Sequence, residues 1–130
     1  MSQQFSVEQE SPGLVKVIFT GRVGPKEWRA ALGETAGLLP EGRRTSVLVS
    51  ADGFEGWGAG DWDDSAFLSF QRDYDPRIGR MAIVADKKWE DQALMFAGKG
   101  LRKIEIEFFT PGEIEGARQW LRSTPKGDLA

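Results

Sequence analysis

Two short apolar runs constrain the fold most. Val47-Leu48-Val49 lies within residues 46–50, and Met81-Ala82-Ile83-Val84-Ala85 follows further along. Neither run alternates with polar residues, so a strand made from either must be covered on both faces. Around them the apolar residues recur at spacings of three and four, the period of a helix with one buried stripe. Short buried strands that alternate with amphipathic helices are the pattern of parallel strand–helix–strand units joined by right-handed crossovers. The expected class is α/β.

The rest of the chain extends that pattern. Phe5-Ser6-Val7-Glu8 alternates like a half-exposed strand, Ser11-Pro12-Gly13 is a turn signal, and residues 14–20 read as the second arm of an antiparallel hairpin. Gly24-Pro25 opens a first helix, with Trp28, Ala31, Leu32, Thr35 and Leu39 on its inner face and Pro40-Glu41-Gly42 at its end. A glycine-rich loop is expected over residues 52–60. Asp61 caps a second helix, with Ala66, Phe67, Phe70 and Tyr74 inward, and Asp75-Pro76 stops it.

After the 81–85 strand, Asp86 caps a third helix that carries Trp89, Ala93, Phe96 and Ala97 on one side and ends at Gly98 and Gly100. Residues 103–109 alternate, with Ile104, Ile106 and Phe108 inward and Glu105 and Glu107 outward, as suits a strand near a sheet edge. Thr110-Pro111-Gly112-Glu113 is a capping box for a last helix with Ile114, Ala117, Trp120 and Leu121 on its apolar side. Residues 123–130 read as a polar, frayed tail. The expectation is one domain over residues 1–130. Its five-stranded mixed sheet, in the order ββαβαβαβα, is covered by four helices.

Composition narrows the chemistry. The 130 residues include no cysteine and no histidine. That excludes disulfides, thiolate nucleophiles, thiolate metal sites and any serine–histidine–aspartate triad. The formal net charge is −3 with both signs interspersed, which is not the footprint of a nucleic-acid binder. No apolar run approaches the roughly 20 residues of a membrane-spanning helix. Residues 1–5 lack the core of a signal peptide, so a cytoplasmic protein is expected, with no integral membrane association.

The strings DGFEGWGAGDWDDSAF (52–67), RIGRMAIVADKKW (77–89) and ARQWL (117–121) resemble the SpoIIAA-like family of small bacterial proteins. The resemblance implies a STAS-like fold, also likened to the CRAL-TRIO lipid-binding domain, in a family largely without an assigned activity. It further implies a regulatory module that forms a homodimer. In the better-known relatives, the anti-sigma-factor antagonists, a serine or threonine just after the third strand is phosphorylated. Here residues 55–60 contain no hydroxyl side chain. Ser65 follows Asp63 and Asp64, which would repel a phosphate, so no phosphoswitch is expected.

The strands ending near Thr20, Ser50 and Ala85 should bring three loops to one end of the sheet, where open α/β sheets bind ligands in a crevice. Those loops carry Arg22, Phe54, Glu55, Trp57, Trp62, Asp63, Asp64, Asp86, Lys87 and Trp89. Phe54 and Trp57 suit either a binding surface or a plug for the end of the core, with the neighbouring glycines supplying bends. The glycine spacing matches neither a P-loop nor a dinucleotide fingerprint. Asp63 and Asp64 could act as an acid–base pair or meet a hard cation, but capping of the second helix explains them more simply. Lys87 and Lys88 oppose the dipole of the third helix; they could attract an anion, but pairing with Glu90 or Asp91 is the simpler reading. Trp28, Trp89 and Trp120 fall at core spacing, whereas Trp57 and Trp62 suit a binding or dimer surface.

Three classes of function remain. A non-catalytic binding or regulatory module is favoured, with Phe54, Glu55, Trp57, Trp62, Asp63, Lys87 and Trp89 as its binding residues and no cofactor or metal. The alternative is a carrier for a lipid or other small amphipathic or anionic ligand, its pocket lined by the aromatic loop, Met95, Phe96 and Lys87. An enzyme using Glu55, Asp63 or Asp64 as acid or base is the weakest reading, because no nucleophile accompanies them.

Overall fold

Five strands form one sheet whose order across the sheet is their order along the chain. The computed structural model describes residues 5–60, 65–98 and 102–123. Strands β1 (Phe5–Ser11) and β2 (Leu14–Val23) make an antiparallel hairpin. Strands β3 (Thr45–Trp57), β4 (Ile78–Ala85) and β5 (Glu105–Phe109) then add in parallel, each beside the last. The connecting helices are α1 (Pro25–Ala36), α2 (Ser65–Tyr74) and α3 (Glu90–Ala97), and α4 (Ile114–Arg122) follows the last strand.

Because strand order never reverses, each crossover steps in the same direction. Crossovers of one hand then place all three connecting helices on one face of the sheet. The packing agrees: Ala31 of α1, Phe70 of α2 and Ala97 of α3 share one buried cluster with Val47, Met81 and Ile83. On the opposite face Ala117 and Leu121 of α4 pack against Leu14, Leu48, Ala82 and Val84. In β3, Val47 and Val49 therefore face the three-helix layer while Leu48 faces α4. All eight residues of β4 are buried, which is why this stretch reads as unbroken apolar sequence. The charged-outward alternation of β5 fits its place at the edge.

The expected element order holds, but several boundaries move. The third strand does not stop at residue 50, and the stretch expected as a loop is largely strand. β2 also continues, to Val23, and the parallel ladder runs on through Thr20↔Gly53, Gly21↔Phe54, Arg22↔Gly56 and Val23↔Trp57. It closes with the Gly58 amide donating to the Val23 carbonyl at 2.8 Å. Glycines hid this extension, since they are poor strand formers without a partner to pair with.

Helix α1 ends at Ala36, although Leu39 beyond it is still buried. The third helix starts at Glu90, after a 3₁₀ turn over Lys87–Trp89. Asp86 caps that turn, its Oδ1 accepting from the Lys88 amide at 3.0 Å. The Thr110 capping box forms, with the Thr110 amide and hydroxyl both donating to Glu113 Oε1 at 2.9 Å. Asp61, Gly100 and residues 124–130 lie outside the described residues. Among those described, no helix is long and apolar enough to cross a membrane.

Buried arginines tie the layers together. Arg102 donates from Nε to Asp75 Oδ2 at 2.9 Å and pairs with the other carboxylate oxygen through Nη2. It also donates to the Ala97 carbonyl at 3.0 Å and lies over the Phe67 ring. Arg80 binds Glu105 at 2.8 Å and donates to the Trp120 carbonyl at 2.8 Å. That carbonyl, in the last turn of α4, also accepts from the Ser123 amide at 3.2 Å, so Arg80 joins the helix's own closing bond.

Asp75→Ala would leave the Arg102 guanidinium, whose side chain is 2% exposed, without its counter-charge. A loss of about 3 kcal/mol is expected, read from the midpoint of urea unfolding. Glu10, in β1, accepts from Arg118 of α4 at 2.8 Å. The Arg118 hydrogen bond holds the Glu10 carboxyl below its ordinary value, only partly opposed by burial. Its stabilisation is therefore complete above the ordinary glutamate range and is lost as pH falls through the depressed value. Glu10→Gln should flatten the acid limb of a stability-versus-pH profile measured by thermal unfolding.

Candidate functional site

Between the sheet and the layer formed by α1, α2 and α3 lies a cavity of about 120 Å³. Its position follows from side-chain size. Ala51 lies midway along β3 and Ala85 ends β4, and Ala31, Ala93 and Ala97 face them from α1 and α3. Small residues on both sides leave a gap that the packed layers do not close. An empty cavity of this size costs about 3 kcal/mol, at about 24 cal/mol per Å³.

Aromatic rings wall the cavity. Phe54 stands edge-on to Trp57 and to Trp89, each at 5.0 Å between ring centroids. Trp28 meets Phe67 at 5.1 Å and Phe19 at 5.9 Å. Phe54 and Trp57 are three residues apart on one strand and would normally point to opposite faces. They reach the same cavity because the β2–β3 register slips between Gly21 and Arg22, leaving Glu55 as an extra residue. Gly56, at φ +127°, supplies the backbone conformation that this bulge requires. Gly58 serves close approach: a Cβ there would sit 3.1 Å from the Gly24 Cα and 3.2 Å from its nitrogen, at the start of α1.

The walls are apolar and, among the described residues, carry no charged side chain. The Thr35 hydroxyl is already used, donating to the Ala31 carbonyl at 2.7 Å. One polar atom stands out. Trp89 Nε1 is buried, presents no surface to the cavity and, among the described residues, has no hydrogen-bond partner. A buried donor left unmade costs about 1–3 kcal/mol.

Of the residues expected to form a site, Phe54, Trp57 and Trp89 come together. Trp62, Asp63 and Asp64 lie outside the described residues, as does the side chain of Phe96. Three other named residues lie apart from the cavity. Glu55 is exposed on the bulge rather than facing the cavity. Lys87 is not a pocket residue: it is exposed and pairs with Glu90 at 3.2 Å, while the Lys88 ammonium lies 5.5 Å from the Trp89 ring centroid. Met95, expected to line the pocket, is 78% exposed on the outer side of α3. A sheet in the order 1-2-3-4-5 has no point where strand order reverses, which is where open α/β sheets form such a crevice. The cavity lies under the helices instead. Sequence reading treated Trp28 as packing alone and passed over the inward alanines, whose clustering was the available signal.

The fold and cavity define a class: a mixed five-stranded α/β domain with three helices over one sheet face, a fourth over the other and an apolar void inside. The SpoIIAA-like family model matches residues 14–122, and the chain belongs to that family. The fold is similar to the crystal structure of an uncharacterized protein of the DUF3478 family with a SpoIIAA-like fold, from Shewanella loihica PV-4. That likeness has a TM-score of 0.65 at 14% identity and covers 90% of this chain and 91% of the other. No curated protein matches the sequence.

Gly58→Ala should lower stability by about 1–3 kcal/mol, because the new methyl meets backbone that cannot swing aside. Denaturant unfolding reads the loss, and an unchanged midpoint would show that the β3 extension tolerates displacement from α1.

Proposed function

We propose that this chain is a non-catalytic binding module of STAS-like type that holds a small, largely apolar molecule between its sheet and the α1–α3 layer. The observation that carries this reading is the apolar cavity of about 120 Å³. A void of similar size, about 150 Å³ with aliphatic and aromatic walls, stays dry and accepts benzene. An occupant gains the transfer of its own apolar surface from water and restores contacts that the wall atoms lack. No acid, base or nucleophile lines the cavity among its described residues, so nothing there would transform the occupant. The molecule's use is as a sensor or carrier. An anionic ligand steered by Lys87 is not favoured, since that ammonium already pairs with Glu90.

Toluene serves as a probe of the right size. It should raise the melting temperature of the wild-type chain, as any molecule that binds only the folded state does. Ala93→Leu adds three carbons to a residue of the cavity wall. This variant should melt higher than the wild type without ligand, by about 0.5–2 kcal/mol of stability, and should no longer respond to toluene. Differential scanning calorimetry reads both effects. A toluene response equal in the two proteins, or absent from the wild type, would overturn the proposal.

A further inference from the structure

We infer that a second, independent binding site lies at the amino ends of β3, β4 and β5, and that it receives an aliphatic chain ending in a carboxylate or phosphate. The site is separate from the apolar cavity, with which it shares no lining residue.

Ile78 begins β4, Glu105 begins β5 and Arg44 directly precedes β3; with residues of α2 they line an open cleft of about 690 Å³. Pockets for small organic molecules occupy about 300–1,000 Å³. Two observations say what would fit this one. The first is charge. The chain carries a formal net charge of −3, yet four cations line the cleft (Arg44, Arg72, Arg102 and Lys103) against two carboxylates, Asp75 and Glu105, a surplus of two positive charges. Both carboxylates are already engaged. Arg102 holds Asp75 from two nitrogens, and Arg80, from outside the lining, binds Glu105 at 2.8 Å. Arg72 pairs at 3.0 Å with Asp73, its neighbour in the chain, but both are exposed and such a pair is weak in water. Lys103 is exposed and has no ion-pair partner among the described residues. An anion entering the cleft therefore meets positive potential without having to break a buried pair. The Arg102 side chain, 2% exposed, is fixed by Asp75 and gives the cleft a preformed floor. The second observation is apolar surface. Leu68 of α2 is 53% exposed and lines the cleft together with Ile78 and Ile104. These side chains are aliphatic, and no aromatic ring lines the cleft among its described residues. An alkyl chain finds contacts there, whereas a nucleobase finds nothing to stack on.

Four probes separate head from chain: octyl phosphate, octanoate, octanol and inorganic phosphate. Their dissociation constants would be measured by isothermal titration calorimetry on the wild-type chain and on the double variant Arg72→Gln with Lys103→Gln, whose two positions are exposed and leave the core intact. Octyl phosphate and octanoate should bind the wild type more tightly than octanol or inorganic phosphate does. The double variant should weaken octyl phosphate about tenfold, a few-fold for each exposed charge, and leave octanol unchanged. Added salt should weaken the two alkyl anions and spare octanol. Leu68→Ser should weaken octyl phosphate about fivefold through lost apolar contact. Ala93→Leu, which fills the apolar cavity, should leave octyl phosphate binding as it is. If octanol binds as tightly as octyl phosphate, or the double variant binds the anions like the wild type, the role of charge is overturned. If inorganic phosphate binds as tightly as octyl phosphate, the role of the chain is overturned. If Ala93→Leu abolishes binding, the anion sits in the apolar cavity and this site falls while the cavity reading stands. If neither alkyl anion binds, the second site is overturned outright.

Discussion

A sheet whose strands follow one another in chain order imposes a division of labour on everything around it. Each parallel step needs a crossover, and crossovers of one hand that advance in one direction must pass over the same face. Three helices are therefore confined to one side of β2–β5. The other side is left for the one helix that follows the last strand. The interior is correspondingly asymmetric. The α4 side is a small cluster of six buried residues, whereas the three-helix side carries the larger core and encloses the void.

That asymmetry explains why the void survives. On the α4 side one helix can settle onto the sheet until contacts are made, and Arg80 and Arg118 hold it there through Glu105, the Trp120 carbonyl and Glu10. On the other side three helices must share one surface. The aromatic contacts between α1 and α2, with Trp28 against Phe67, hold the layer at a distance that Ala31, Ala93 and Ala97 cannot span. Closing the gap would require moving a helix against rings that already touch, so the cost of the void is set by the rings around it.

The fold was largely legible in the sequence. The uninterrupted runs of β3 and β4 announced double coverage, the 103–109 alternation announced an edge, and Thr110 with Glu113 announced the start of the last helical segment. The site was legible only in part. Phe54 and Trp57 were noticed as a pair, but their common direction depends on a bulge at Glu55 that no pattern of period two reveals. The glycines that suggested a free loop answer to the bulge and to the approach of Gly24. Pairing of Lys87 along its own helix was the simpler reading, and the partner is Glu90, a choice among nearby carboxylates that the sequence does not show. Trp89 was read correctly as a core residue, but whether its N–H finds a partner is a property of three-dimensional surroundings alone.

The prolonged β2–β3 ladder has a kinetic meaning. Phe54 and Trp57 do not stand on a hinge; they are fixed to the sheet by paired backbone as far as Gly58. That wall of the cavity is stationary on the timescale of loop motions. Under the proposed binding role, exchange of an occupant would depend on the opposite wall, where short helices are held by side-chain contacts. Residence time and affinity would then come from different parts of the molecule: the cavity would set how tightly an occupant is held, and the lifting of the helix layer how often it leaves.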